Sequence, residues 1–575
     1  MRAAALVPAL TQLREYQRSW LRGDVIAGVT VAAYLIPQVM AYAGLAGLPP
    51  VVGLWAILPS LAIYALLGSS RQLSVGPEST TALMAATVVA PLAAGDADRY
   101  AALAAALAVV VGALAVLAWL LRLGFVADLL SHPILVGYLA GVAVIMIIGQ
   151  LEKISGVPME GDTFVSEVSS FFRRLDQLDP DTLTLGLATL AFLFIVQWRF
   201  PRLPGPLLAV LLATAAVALF DLKDSGLAMV GEVPAAFPTL AVPPLGDLTQ
   251  LLLPAVGVLL VGYTDNVLTA RAFGAKGGYE IDPNHELLAL GAANIGAGLF
   301  KGFPVSSSGS RTAIGAASGS RTQLYSLVAL ASVVGVLLFL RPVLANFPMA
   351  ALGAIVIYAA VRLVDVAGFR RLASFRRSEL VLALAATVGV LAFDILYGIL
   401  VAIALSVADL LARVARPHDA VLGRVPGLAG MHDVDDYPEA KTIPGLVVYR
   451  YDSPLFFANA QDFKRRALAA ADEFDGNLKC FVLNVEANVE VDITALDALE
   501  EVRQELTNRG VVFALARVKQ DLLDDLQAYS LAARIGADRI FPTLPTAVEA
   551  YERWVREQAA VGEAACPDPR AEPSS

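Results

Sequence analysis

Charged side chains are scarce in this sequence. Asp, Glu, Lys and Arg make up 16% of its 575 residues, against about 25% in soluble domains. Cysteine occurs only as Cys480 and Cys566, both in a stretch that reads as cytosolic, so no disulfide framework is expected. The four histidines do not group with cysteine at metal-ligand spacing, and neither a metal nor another cofactor is expected. No Walker phosphate loop is present, which excludes an ATP motor within the chain. No catalytic constellation stands out, so an enzyme is not expected, and work on a solute would draw on ion or solute gradients. The first apolar run lacks a signal-peptide cleavage pattern and is expected to be retained.

Apolar residues are what the sequence has: 57% of it, with a mean hydropathy of +0.66. They are concentrated before about residue 416. Candidate spans fall at 24–44, 51–68, 77–93, 101–121, 133–151, 182–199, 205–222, 248–270, 285–300, 310–318, 323–342, 349–364, 379–394 and 396–415. A full crossing needs roughly 20 apolar residues, and two candidates, 77–93 and 310–318, fall short. With fourteen crossings and both termini inside, most Arg and Lys lie on the inner side, the run "RRLASFRR" at 370–377 above all. The expected division is a cytoplasmic N-terminal segment 1–23, a transmembrane domain 24–416, a linker 417–444, a cytosolic α/β domain 445–558 and a disordered tail 559–575.

The two short spans resemble each other. "SVGPESTTALMAA" at 74–86 and "SSSGSRTAIGAAS" at 306–318 each run from small hydroxyl residues through one charge, Glu78 or Arg311, into a short Thr/Ala-rich helix. Each is the third span of its set of seven. Matching interrupted segments in two halves point to an inverted-repeat transporter with its site between two half-helices. A helix starting at mid-membrane presents unpaired N–H groups and the positive end of its dipole. Two such ends make an anion site, which hydroxyls and Arg311 can complete. Tight helix packing through small residues is the alternative; an Arg at the head of a half-length helix weighs against it.

With these residues in view, the chain resembles the sulfate permease (SulP) family, bacterial relatives of the human sulfate/anion-transporter solute carriers. The motifs are "AYLIPQVMAYAGLAGLPPVVGLW" at 33–55, "GSSRQLSVGPESTTAL" at 68–83 and "NHELLALGAANIGAGLFKGFPVSSSGSRTAIG" at 284–315, followed by a C-terminal STAS domain. The resemblance implies a polytopic α-helical seven-plus-seven inverted-repeat fold with core and gate domains. It also implies a homodimer in the cell membrane and an elevator-like motion. It places the anion at Ser308, Gly309, Ser310 and Arg311 in the tenth segment and at Pro77, Glu78, Ser79 and Thr80 in the third. By the same resemblance, Gln38 and Tyr42 of the first segment match family positions that face the pocket.

Glu78 departs from the neutral or aromatic residue of many relatives. Two readings stand: it pairs with Arg311 when the site is empty and takes a proton with the anion, or it caps its helix at the cavity edge. In the eighth span, Asp265 and Thr269 are four apart and share a helix face. A carboxylate inside a span is functional by default, and relatives link an acid here to sodium or proton coupling. A buried salt bridge to Arg271 or Arg311 is the alternative. His132 at a span entrance, and Glu286 and Asn294, read as structural; Asn284 reads as a helix cap.

The C-terminal part alternates strand-like and helix-like runs, as an α/β domain does, with Asn459 and Thr494 as expected helix caps. In the anti-sigma-factor antagonists that share the STAS fold, a Ser or Thr where Thr494 stands is phosphorylated. Residues 417–575 hold 16 basic and 27 acidic side chains, which argues against nucleic acid and anionic lipid as partners of this domain; cytosolic regulators would be its partners. Taken together, the sequence implies secondary transport of an inorganic anion, sulfate first, coupled to protons or another cation such as sodium. The alternatives are a bicarbonate or dicarboxylate carrier, an uncoupled exchanger, and a membrane anion sensor signalling through the STAS domain.

Overall fold

The computed structural model describes residues 7–564, apart from 129–130, 160–163, 201–202, 223–225, 235–236, 245 and 475–476. The expected tail, Cys566 included, falls largely outside the described residues. The chain divides into two compact units at Ser406/Val407.

The first unit is helical. Its principal helices are α1 (Leu21–Leu45), α2 (Pro50–Leu67), α3 (Ser79–Ala93), α4 (Ala97–Leu120), α5 (His132–Ile148), α6 (Pro180–Arg199), α7 (Gly205–Leu219), α8 (Leu248–Gly277), α9 (Pro283–Leu299), α10 (Gly309–Ala317), α11 (Leu324–Phe339), α12 (Met349–Leu363) and α13 (Arg377–Ala415). Among the described residues, seven helical stretches are long and apolar enough to cross a membrane, and α3, α7 and α11 are shorter apolar helices. The backbone of α13 is helical throughout, yet a Cβ on Gly398 would lie 2.7 Å from Val390 Cα. Eight residues of straight helix would separate them by about 12 Å. The chain therefore folds back on itself, and α13 supplies the last two segments as a hairpin.

Helices α1–α4 and α8–α11 pack into one group, and α5–α7 with α12 into another; Gly137 and Gly141 of α5 seat the α13 hairpin against the second group. Glycine makes the closest approaches. A Cβ on Gly112 of α4 would stand 2.5 Å from the Gly291 carbonyl oxygen of α9, and one on Gly291 would stand 2.9 Å from that of Gly112. In lipid, such backbone-to-backbone packing replaces the hydrophobic effect as the force between helices.

Polar knots lock the first group. The buried Glu286 carboxylate accepts from Tyr64 Oη (2.9 Å), Ser69 N (3.0 Å), Ser69 Oγ (2.7 Å) and Asn266 Nδ2 (2.6 Å), tying α2, α8 and α9 together. Asn294 donates to Val305 O (2.9 Å) and accepts from Val305 N (2.9 Å), fixing the approach to residue 306. The cap of α9 is Asp282, which accepts from the amides of Asn284 and His285. Asn284, expected as that cap, instead donates to Trp119 O at 3.2 Å. Pro283 at the first helical position explains the shift of two residues, because it puts the cap at Asp282.

The second unit is a six-stranded sheet ordered β4-β3-β5-β6-β7-β8. The strands are β3 (Asp419–Gly423), β4 (His432–Asp433), β5 (Leu446–Tyr451), β6 (Cys480–Asn484), β7 (Val512–Ala516) and β8 (Ile540–Phe541). Strands β5 to β8 are parallel and β3 and β4 antiparallel. Residues 417–444 are thus not a linker: they carry β3 and β4. Their Pro, Gly and Asp content mimics a linker because it serves the turns between short edge strands. Alternation along β5 sends Val447, Tyr449 and Tyr451 into a core with α14 (Ala460–Asp472), α15 (Ile493–Asn508) and α16 (Gln520–Ala528). Leu446 and Val448 point the other way, toward α17 (Leu544–Ala564).

Two expected caps are corrected here. Asp492, not Thr494, caps α15, accepting from Ala495 N at 2.8 Å; Thr494 is the second helical residue and is exposed. Asn459 precedes α14, but its side chain binds the preceding loop at Phe456 N and Pro454 O.

Two outcomes are expected. Gly112→Leu forces α4 and α9 apart and lowers unfolding free energy by about 1–3 kcal/mol or more, read as a lower melting temperature in detergent. In the second unit, Arg503 hydrogen bonding, with Gln504 and Arg534 beside it, holds the Glu500 carboxyl down to about 2. A depressed carboxyl stabilises the fold above its unfolded value of about 4.3 and loses that contribution as pH falls through about 2. Glu500→Gln should therefore flatten the calorimetric acid dependence of this unit over that window.

Candidate functional site

Helix α3 has 15 residues and α10 has nine, so they extend only about 22 Å and 14 Å, short of the roughly 30 Å hydrocarbon layer. Each is completed by extended chain. Strand β1 (Val75–Gly76) pairs antiparallel with β2 (Ser306–Ser307), in the register Val75↔Ser307 and Gly76↔Ser306. Ser308 N adds a third link to Ser74 O at 2.9 Å, and Ser74 N donates to Thr312 Oγ1 at 3.0 Å. The two half-helices leave this crossing in opposite directions, with both N-termini beside it.

Arg311, fully buried, braces the crossing from behind. Its Nη1 donates to Pro77 O at 2.8 Å and Gln38 Oε1 at 3.4 Å, and its Nε to Ser74 Oγ at 3.3 Å. Nη2 has no hydrogen-bond partner and lies beside Gly76, where a Cβ would also strike Ile57 Cδ1 at 2.0 Å. Gln38 passes the orientation on: with its oxygen held by Arg311, its Nε2 donates to Tyr42 Oη at 2.9 Å. The three residues form a relay from the buried charge to the first helix.

In front of this brace lies a cavity of about 300 Å³, at the small end of ligand pockets. It is walled on one side by α1, α3, α8 and α10, and on the other by α5 and α12. Of the sequence-derived candidates, Gln38, Tyr42, Glu78, Ser79, Thr80, Asp265, Ser308, Gly309 and Ser310 all line it. Thr269 and Arg311 do not. Thr269 lies one turn along α8, and Arg311 contributes charge from behind a layer of protein rather than a surface.

The carboxylates are each committed to a hydroxyl neighbour. Glu78 caps α3, accepting from Thr80 N at 2.8 Å and Ser79 Oγ at 2.6 Å. Asp265 accepts from Ser307 Oγ at 2.8 Å. No ion pair joins either to Arg311, so of the two readings of Glu78 the structure has the helix cap and not the Arg311 pair, and the Asp265–Arg311 bridge is absent; the guanidinium is spent on the crossing. At α10, Ser308 Oγ accepts from Arg311 N at 3.5 Å and lies 3.2 Å from Ser310 Oγ. The amides of Gly309 and Ser310 belong to the first turn, which has no intrahelical acceptor for them.

Among the lining residues that escaped the sequence reading are Tyr34, Ser307, Tyr358 and Arg362. Tyr34 is four residues before Gln38, on the same face of α1, so helical spacing was a usable signal. Arg362 ends an apolar helix and reads from sequence as an ordinary inner-side charge.

Comparison with known proteins follows the same lines. The sulfate permease family profile matches residues 21–386, and the STAS domain profile matches residues 437–547. A Mycobacterium tuberculosis protein named "Probable sulfate transporter" is 60% identical over 555 residues, covering 96% of this chain and 99% of its own. A chloroplastic sulfate transporter of Arabidopsis thaliana is 31% identical over 571 residues, covering 96% and 83%. The solved structure of SLC26A9 superposes with a TM-score of 0.88 at 22% identity, covering 98% of this chain and 94% of that one.

Removing the brace should cost more than removing the cap's charge. Arg311→Gln leaves Pro77 O and the Gln38 amide oxygen without a donor and is expected to lower unfolding free energy by about 2–3 kcal/mol. Glu78→Gln keeps an acceptor oxygen for Thr80 N and is expected to change it by less than about 1 kcal/mol. Thermal unfolding of both variants in one detergent measures the difference.

Proposed function

Because the chain belongs to the sulfate permease family, we propose that this multi-pass membrane protein takes up sulfate across the cell membrane, with both termini in the cytoplasm and uptake coupled to protons or another cation. The observation that carries this reading is the β1–β2 crossing. It sets two helix N-termini, their hydroxyls and one buried guanidinium around a single cavity of about 300 Å³. Helix N-termini, free amides and hydroxyls are what a small oxyanion binds. Ser308, Ser310, Thr80 and Tyr42 donate to the anion, Ser79 holds Glu78, and Arg311 supplies charge through the crossing.

Two carboxylates share the cavity with that anion. Glu78 and Asp265 would repel a divalent oxyanion entering a low-dielectric space, so the anion's entry calls for a proton or cation to accompany it. Asp265 is the coupling acid in this reading. It sits on α8, held by Ser307 next to the tenth-segment donors, whereas Glu78 is committed to capping α3.

The cavity's walls come from the two packed groups, the core and the gate, so sliding one past the other would carry the site across the membrane. The packing is asymmetric between the two faces. The site cavity adjoins a second one of about 430 Å³, lined by Ile26 near the start of α1, Gln197 near the end of α6 and Ser318 beyond α10. At the opposite end of α1, Lys153 Nζ donates to Gly44 O at 3.0 Å, joining gate to core. This supports an inward-open arrangement with its outer side latched.

Purified protein in proteoliposomes should concentrate radiolabelled sulfate when an inward proton gradient is imposed. Asp265→Asn should lose that accumulation while retaining sulfate–sulfate exchange. Concentrative uptake by the Asn variant would remove Asp265 from coupling. Binding without any accumulation by the wild-type protein would mean a sensor, and stronger competition by bicarbonate or fumarate would change the substrate.

A further inference from the structure

We propose that Arg362 forms a second anion station on the inner side of the cavity, one that the anion touches only when the core faces inward. The proposal rests on the transport reading above but adds a residue and a step to it. Arg362 is the only cationic side chain lining the site cavity among the described residues, since Arg311 lies behind the crossing. It also lines the adjoining inner cavity, and Tyr34 and Ser310 are shared between the two in the same way. The guanidinium is therefore at the junction, where an anion leaving Ser308 and Ser310 must pass.

Its position is held. Nη1 donates to Tyr358 Oη at 2.9 Å, and the guanidinium carbon lies 5.8 Å from the centre of the Tyr358 ring. Tyr358 is itself 4% exposed and stacks edge-on against Phe194 of α6. Among the described residues no carboxylate pairs with Arg362, which leaves its remaining N–H groups for a ligand. A planar fork of donors suits a tetrahedral oxyanion. Tyr34 and Ser310 add hydroxyl groups within the same space.

The two halves of the passage ride on different bodies. Ser308 and Ser310 belong to the core, and Arg362, Tyr358 and Phe194 to the gate. Any displacement of core past gate changes the distance between the half-helix donors and Arg362. A contact made in one end state and not in the other biases only the affinity seen from that side. Arg362 is thus a specificity and release residue for the cytoplasmic face.

The test is sulfate half-saturation measured separately from each face, in oriented proteoliposomes or in right-side-out and inside-out vesicles. Arg362→Gln should raise the inner-face value roughly tenfold, the loss of about one charge-assisted hydrogen bond, and leave the outer-face value unchanged. Arg362→Lys should stay near wild type, and Tyr358→Phe, which frees the guanidinium to swing, should show a smaller inner-face rise. An Arg362→Gln effect that is absent, or equal on both faces, overturns the proposal. If that variant does not insert, an inner-face rise in Tyr358→Phe upholds the proposal, and equal values on both faces in that variant overturn it. A wild-type protein that moves no sulfate would sink the transport reading itself, which a symmetric Arg362→Gln effect would not.

Discussion

The structure depends on how two interrupted helices satisfy their backbone at membrane depth. In hydrocarbon, no water pairs with exposed N–H and C=O groups, so irregular chain survives only where protein or a watery cavity supplies partners. Here both solutions operate on opposite sides of one crossing. Two rungs between β1 and β2, the Ser308–Ser74 link and the Arg311–Pro77 bond pair the backbone on the protein side. The groups left over, at the first turns of α3 and α10, open onto the cavity. The proposed binding site is thus a by-product of ending helices early, and its polarity is fixed by which end is left open.

This constraint also explains why the charges are placed as they are. A guanidinium in direct contact with solvent in the cavity would be a mobile donor. Buried and held by Pro77, Gln38 and Ser74, it becomes a fixed source of positive potential that costs no reorganisation when an anion arrives or leaves. Its desolvation is offset by acceptors that would otherwise be unpaired. The acids are held differently, each by a hydroxyl, Ser79 or Ser307, whose own proton can rotate. Such contacts are compatible with either protonation state of the acid, because a hydroxyl both donates and accepts.

The site was largely legible because its signals are compositional. Small hydroxyl residues followed by a charge, twice, at the third place of each set of seven, cannot be confused with an apolar span. The pairing of 74–86 with 306–318 was therefore available from sequence, and the structure joins them through the two residue pairs of β1 and β2. What was not legible depended on where side chains point. Arg311 was read as a ligand because its position at a helix head is visible and its direction is not. Arg362 was passed over because the end of an apolar helix is the commonest place for an inner-side arginine. Residues 417–444 failed for a different reason. Strands β3 and β4 are short and edge-placed, so turn residues outweigh the period-2 pattern that marks a strand. The last two spans, expected at 379–394 and 396–415, lie on one continuous helical backbone, α13, which folds back between Val390 and Gly398.

Glycine links the two scales of the molecule. At Gly112 and Gly291 it lets α4 and α9 touch backbone to backbone, which makes the core a stiff body. At Gly76 it lets the chain pass between Ile57 and the Arg311 guanidinium. A stiff core matters for the chemistry, because the crossing is only two rungs wide and is held on either side by residues of that same body: Asn294 before β2, Ser74 before β1, and Gln38 across from both. In the proposed transport cycle, a core that moves as one piece would keep the proposed donors at constant distance from one another. The cavity can then change only along its border with α5 and α12, where α12 contributes Tyr358 and Arg362. In the proposed reading, the spacing of the donors at the crossing is therefore set by the core, while access to them and the added contact at Arg362 come from the gate.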